Sequence, residues 1–300
     1  MLSPATGKNI NFTSCLRMVE MDLEEALGKF EKLSKEETIS LCEESYEILQ
    51  KEPPLLRLGF EKILVVGDLH GDLESCVNAL TYLDKFEEAG IVFLGDYVDR
   101  GPYQSGVINL LLNMKKNNPE KIFILRGNHE TPSMNFSYGF LDLLIRRFGK
   151  EYDEVYDAYL RVFSEMPFAA LFKNSVILVH GGLARRVRKI QDLEEAGKGG
   201  AEPEDPRIFE TIWNDPSEDI EDFSPNPRGP GIYFFGKNAL QSFLRENGLK
   251  MMVRSHEPVA GGYRVLLQGS LITVFSCRFY GIKPAALDLR NEEYSFISLY

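Results

Sequence analysis

The sequence predicts an α/β protein with a mixed β-sheet or sandwich behind a helical N-terminal segment. Short apolar runs rich in Ile, Val and Phe begin at Lys62, the first three alternate with helical patterns, and the last ones crowd together with short connections. Residues 1–12 read as a loose terminus, after which Leu16, Val19, Leu23, Ala26, Leu27 and Phe30 recur at helical spacing. Ser34, Lys35, Glu36 and Glu37 form a capping box, and Ile39, Cys42, Tyr46 and Leu49 continue a second helical face until Pro53 and Pro54 stop it. The strand runs are 63–66, 91–94, 122–125, 176–179 and 251–253, with helices expected over 73–86 and 104–115. That order implies parallel pairing of the first three strands. Runs 263–267, 271–275 and 294–299 read as antiparallel strands.

In 300 residues no Pro/Gly/Ser-rich linker divides the chain, so a single domain over 1–300 is expected, with helices 1–60 packing on it. A net charge of −11 repels a nucleic-acid backbone, which excludes nucleic acid as a partner class. The basic cluster Arg185, Arg186, Arg188 and Lys189 reads as a solvated face. Cys15, Cys42, Cys76 and Cys277 show no CxxC spacing, which argues for a reducing, cytoplasmic setting and against a thiolate zinc site. The first thirty residues carry no basic-then-apolar signal, and no apolar run is long enough for a bilayer, so no membrane is expected.

The polar turns that end the apolar runs carry the chemistry: GDLHGD at 67–72, GDYVDRG at 95–101, RGNHE at 126–130, HGG at 180–182 and RSH at 254–256. Each lies past a strand's carboxyl end, where ligands gather in open α/β sheets. The four histidines, His70, His129, His180 and His256, all fall in these turns. Any one alone reads as a buried hydrogen-bonded imidazole; together with Asp68, Asp96 and Asn128 they read as a metal site. Nitrogen and oxygen donors without thiolates suit manganese, iron or zinc. If Asp96 bridges, Asp68 and His70 complete one metal while Asn128, His180 and His256 complete another, roughly 3.5–4 Å away.

These turns, with IWNDP at 212–216 and PRG at 227–229, form in this order a set that resembles the PPP family of serine/threonine protein phosphatases. The resemblance spans nearly the whole chain. It implies the calcineurin-like metallophosphoesterase fold, a central mixed β-sandwich flanked by helices, and two divalent metal ions, manganese above all. It also implies phosphoprotein substrates and regulatory or targeting subunits. His129 would protonate the departing seryl or threonyl oxygen with Asp99 orienting its ring, and Arg100 and Arg228 would clamp the phosphate. Tyr280 resembles the tyrosine placed above the metals, although the 276–281 loop reads SCRFYG instead of SAPNYCG and is shorter. Asp72 stands where many relatives carry glutamine. Arg126 and Arg254 read as structural, and Trp213 as packing that borders the pocket.

Phosphate monoester hydrolysis demands up to ~10²¹-fold acceleration and one general acid or base contributes about 10²–10⁴, so the expected mechanism is direct attack by a metal-held hydroxide without a phosphoenzyme. Two rivals share some of these features: a dinucleoside polyphosphatase, which has the GDxHG and GNH turns, and a catalytically dead scaffold, which needs no intact ligand set.

Overall fold

The computed structural model of the chain describes residues 22–83 and 88–300. Leu16, Val19 and Cys15, and the end of the helix expected over 73–86, lie outside the described residues.

Helix α1 (Leu23–Lys29) starts where the Asp22 carboxylate accepts the Glu25 N–H, and α2 (Lys35–Leu49) carries both halves of the capping box between Ser34 and Glu37. The Pro53–Pro54 pair ends this segment, but the chain then forms β1 (Leu55–Leu58), a strand the apolar pattern did not mark. The expected alternation comes next as β2 (Lys62–Val66), α3 (Leu73–Leu83), β3 (Ala89–Phe93), α4 (Gln104–Asn117) and β4 (Ile122–Ile124). Three helices, α5 (Pro132–Tyr138), α6 (Phe140–Phe148) and α7 (Tyr152–Glu165), precede β5 (Ala169–Phe172) and β6 (Val176–Val179). A region of small elements contains α8 (Ile190–Glu194), α9 (Pro206–Trp213), β7 (Asp215–Pro216), β8 (Phe223–Pro225), β9 (Tyr233–Phe235) and α10 (Lys237–Asn247). The chain closes with β10 (Met251–Arg254), β11 (Tyr263–Leu266), β12 (Leu271–Val274), β13 (Ala285–Arg290) and β14 (Glu293–Ser298).

Two mixed sheets, of order β1-β5-β6-β10-β12-β11 and β14-β13-β2-β3-β4, make up the sandwich; β7, β9 and β8 form a small third sheet. As expected, β2, β3 and β4 pair in parallel, and β11 and β12 form an antiparallel hairpin. The final run is antiparallel as expected, but its partner is β13, which the apolar pattern did not mark and which lies antiparallel to β2 in the other sheet.

Period-2 alternation sorts each strand's side chains between layers. Ile63 and Val65 of β2 pack into the core between the sheets, with Val92, Leu178, Val253 and Ile272, whereas Leu64 and Val66 face the helical layer that holds Phe30, Leu49, Leu110 and Phe163. Val179 and Met252 face a second helical layer with Ile208, Ile212 and Leu240. The result is helices, sheet, sheet, helices. Because β2, β3, β4, β6 and β10 are buried on both faces, their polar side chains are confined to the strand ends, and the turns that follow these five strands meet. A parallel bridge between Asp68 and Phe275 ties the two sheets together at that edge.

Candidate active site

Five of the ten non-glycine residues with positive φ among the described residues are site residues: His70, Asp96, Asp99, Arg100 and His256. Backbone held in a sparsely populated region persists only where the surroundings over-determine it. Here the packing of the turns does so. Gly95 has φ +118°, and a Cβ there would sit 2.4 Å from the Gly127 nitrogen; a Cβ on Gly127 would sit 2.2 Å from Asp96 Oδ1. The turns after β3 and β4 therefore approach too closely for any side chain but hydrogen.

Asp68, His70, Asp96, Asn128, His180 and His256 converge at one edge of the sheets, all are buried, and all but His180 line the cavity there. His70 directs Nδ1 at the Val98 carbonyl (2.9 Å) and His180 directs Nδ1 at the Leu94 carbonyl (3.1 Å). Each donation fixes the tautomer that leaves Nε2 with a free lone pair. His180 Nε2 faces Asn128 Oδ1 at 3.0 Å, His256 Nδ1 at 3.2 Å and Asp96 Oδ1 at 3.3 Å. On the other side, His70 Nε2 lies 3.5 Å from Asp96 Oδ2 and 3.7 Å from Asp68 Oδ2. Asp96 thus turns one oxygen to each group. Lone pairs crowded this way repel one another unless a cation lies between them, and Asn128 Nδ2 and His256 Nε2 have no hydrogen-bond partner within the protein. The donor set fits divalent metal ions. His70, Asp96 and His129, and Asp96, His180 and His256, each bring ligand atoms within 4.8 Å of one another. His129 belongs to the first group by proximity alone: its Nδ1 is taken by Asp99 Oδ2 at 2.7 Å and its Nε2 stays 4.0 Å from Asp96.

Asp99 meets His129 rather than Arg100. Burial pushes its carboxyl up to about 8, against the Phe140 N–H and the Asn135 amide, which lower it; burial also pushes the His129 imidazole well below its usual range. Both shifts disfavour charge separation inside the pair, and the Asp99 contact at Nδ1 leaves His129 Nε2 beside the cavity. Arg100 is exposed and lies 4.3 Å from the Tyr138 ring. Arg228, half-exposed, is held by Asp215 Oδ2 at 2.6 Å. Tyr280 packs with its ring 5.9 Å from His70, and burial pushes its phenol pKa up. His129, Arg100, Arg228 and Tyr280 border a cavity of about 380 Å³, and Trp213 both lines it, edge-on to His256, and packs on the second helical layer.

A calcineurin-like phosphoesterase family model matches residues 61–260. The serine/threonine-protein phosphatase 4 catalytic subunit of Kluyveromyces lactis is 32% identical over 264 residues, 88% of this chain and 84% of that protein. This chain belongs to the PPP-type serine/threonine phosphatases of the calcineurin-like phosphoesterase family. The Saccharomyces cerevisiae phosphatase 4 catalytic subunit is likewise 32% identical, over 87% of this chain and 84% of its own length. A solved protein serine/threonine phosphatase from Saccharomyces cerevisiae with similarity to human phosphatase PP5 superposes with a TM-score of 0.80 at 27% identity, covering 89% of this chain and 90% of its own. A cold-active protein tyrosine phosphatase, at 17% identity and a TM-score of 0.61 over 84% of this chain and 82% of its own, shares the fold alone.

Sequence reasoning missed the residues that hold the phosphatase machinery in place. Ser255, inside RSH, donates its hydroxyl to Asp68 Oδ1, and the His256 N–H reaches the same oxygen at 2.9 Å. Glu130, the last residue of RGNHE, accepts the N–H groups of Asp96 (2.8 Å), Tyr97 (2.9 Å) and Gly127 (2.9 Å). Asp215, from IWNDP, grips both Arg228 and the fully buried Arg254. Motif membership was the available signal for these three. Met134, Tyr138, Pro258 and Phe275 also line the cavity and carried none. Arg126 and Arg254 are structural as expected: Arg126 donates to the Glu130 and Gly200 carbonyls, and Arg254 to the Gly181 carbonyl.

Proposed function

We propose that the chain is one catalytic domain over its whole length and hydrolyses phosphoserine and phosphothreonine in proteins. The observation that carries this reading is the meeting at one cavity of Asp68, His70, Asp96, Asn128 and His256, with His180 directly behind them, together with His129 held by Asp99 and two cleft arginines. Asp68, His70 and Asp96 would hold one divalent ion, and Asp96, Asn128, His180 and His256 the other; manganese suits this donor set, as do iron and zinc. Two such ions supply Lewis acidity toward phosphoryl oxygens and the attacking water.

The remaining work falls to protein groups. Arg100 and Arg228 present guanidinium donors to the phosphoryl oxygens, and the Asp215 tether sets the plane of Arg228 before substrate arrives. Tyr280 closes the cavity above His70. Asp99 holds His129 through Nδ1 so that Nε2 can deliver a proton to the departing seryl or threonyl oxygen, a group too basic to leave as an alkoxide. The partners are phosphoproteins, with regulatory subunits as the catalytic-subunit relatives' names suggest. The buried free thiols Cys42, Cys76 and Cys277 suit a reducing, cytoplasmic setting. Among the described residues no helix is long and apolar enough to cross a membrane.

The test is metal analysis of the purified protein coupled to turnover of phosphoserine and phosphothreonine peptides, diadenosine tetraphosphate and p-nitrophenyl phosphate. Preferential cleavage of the dinucleotide would overturn the substrate class, and no turnover of any of them with manganese present would leave only a scaffold.

A further inference from the structure

Two departures from the family pattern, Asp72 in the first turn and the short SCRFYG loop, are in contact. The Asp72 carboxylate is fully buried and accepts four hydrogen bonds: the Ser75 N–H at 3.1 Å, the Ser75 hydroxyl at 2.7 Å, the Arg278 N–H at 2.8 Å and Arg278 Nε at 3.1 Å. Arg278 spends its other guanidinium nitrogens on the Glu74 carboxylate, the Ser75 hydroxyl at 3.2 Å and the Leu299 carbonyl at 3.5 Å. One carboxylate thereby caps the start of α3 and anchors the loop between β12 and β13. A glutamine at 72 is neutral and one methylene longer, so it offers the guanidinium no counter-charge at this depth.

The residues the loop carries give the anchor its consequence. On one side of Arg278, Cys277 is buried with Phe275 and Ile282; on the other, Phe279 is 48% exposed and Tyr280 stands over His70. Phe279, Tyr280, Arg100 and Cys277 enclose a side cavity of about 200 Å³ that opens beside the main one. Other attachments of this segment are the Ser276 hydroxyl, which bonds the Ala285 carbonyl at 2.7 Å and accepts the Gly67 N–H at 2.9 Å at the loop's base, the Tyr280 ring edge-on to Phe275 at 5.2 Å, and the Arg278 guanidinium 5.7 Å from the Tyr300 ring.

We infer that the Asp72–Arg278 pair is a positioning device that sets the 276–281 loop as one wall of the substrate cleft, acting through Tyr280 and Phe279. Neither member touches the reacting phosphate. The inference rests on the phosphatase reading, since the cleft it shapes is the one proposed to bind phosphopeptide.

Arg278→Gln tests it, because Asp72 itself also caps α3 and lies two residues from His70. The expected result is a KM for a phosphothreonine peptide raised about tenfold with kcat within about threefold, the pattern of lost binding rather than lost chemistry. Amide hydrogen exchange over 277–283 should accelerate by a similar, roughly tenfold factor as the loop opens locally. Arg278→Lys, which keeps the charge and loses the fork, should fall between and covers the case in which the glutamine variant folds poorly. In a Tyr280→Ala background, Arg278→Gln should add little, because two residues acting through one wall are not additive. Unchanged loop exchange and KM, or a full additive effect on top of Tyr280→Ala, would overturn the inference. Loop exchange is read without substrate, so a chain that failed to cleave phosphopeptides would break the substrate reading and leave the anchor's result standing.

Discussion

On one side of the cleft Asp68, Asp96, Asn128 and His180 hang from strand ends, buried and almost out of reach of solvent; on the other, Arg100, Arg228 and Tyr280 ride on turns and loops, Tyr138 ends the short helix α5, and all four stay partly open to it. The first side is held mainly through backbone groups. The Glu130 carboxylate gathers three N–H groups beneath Asp96, the Val98 and Leu94 carbonyls fix the rings of His70 and His180, and the His256 N–H, with the Ser255 hydroxyl, holds Asp68. The second side is held by single side-chain attachments: Asp215 on Arg228, the Tyr138 ring on Arg100, Asp72 on the Tyr280 loop. A site assembled by the fold itself should fail in an all-or-none way, whereas one assembled from individual tethers should fail by degrees.

The largest effect should come from the side built on backbone. Asp96→Asn removes the charge that faces both ligand groups, and the variant should retain less than one metal per chain by elemental analysis and lose on the order of 10³-fold or more in turnover. His129→Asn, next in size, should keep the metal of the unsubstituted protein and lose about 10²–10⁴ in kcat for phosphopeptides, with a smaller loss for p-nitrophenyl phosphate, whose phenolate leaves without a proton. If the two substrates fell equally, His129 would not be the acid. On the tethered side, Arg228→Ala should raise KM for phosphopeptide by roughly 10–100-fold, the worth of a charged hydrogen bond of ~1.5–3 kcal/mol, with little change in melting temperature. A lost metal in that variant would erase the distinction between the two sides.

The smallest effect lies behind the cleft, at the start of the helix that ends in Trp213. Asp205 caps α9, and the Arg207 guanidinium holds its carboxyl below the usual carboxylate range. A depressed folded-state pKa contributes stability that is present above the unfolded value near ~3.9 and is lost as pH falls through the folded one. Asp205→Ala should therefore cost about 1 kcal/mol in urea unfolding at pH 7, and less as the pH is lowered toward 3. A cost independent of pH would mean that the carboxylate charge contributes nothing.

Legibility divided along the same line. Every ligand-side residue could be read from the sequence because each comes just after a short apolar run, and an apolar run that stops at a glycine-bounded polar turn marks a strand's carboxyl end. His129 and Asp99 were legible from motif resemblance, and the structure brings them to 2.7 Å. Tyr138 and Met134 were not, since a tyrosine and a methionine on a short helix look the same whether they face a cavity or a core. The strands β1, β5 and β13 and the three of the small third sheet also escaped. β1 comes after a proline pair that reads as a stop, and β13 carries Asp288 and pairs with β2, more than two hundred residues earlier in the chain.

By itself, the chain's pattern of apolar runs and polar turns determined the α/β class, the parallel heart of one sheet and the identity of the polar side chains that gather at its carboxyl edge, because these depend on local periodicity and on what a strand end can present. Which sheet each late strand joins, which carboxylate holds which arginine, and how Asp72 and Arg278 come to share a bond across 206 positions were decided only in three dimensions. Pairing between distant segments depends on which surfaces are left to cover once the nearer contacts have formed, and no local pattern carries that information.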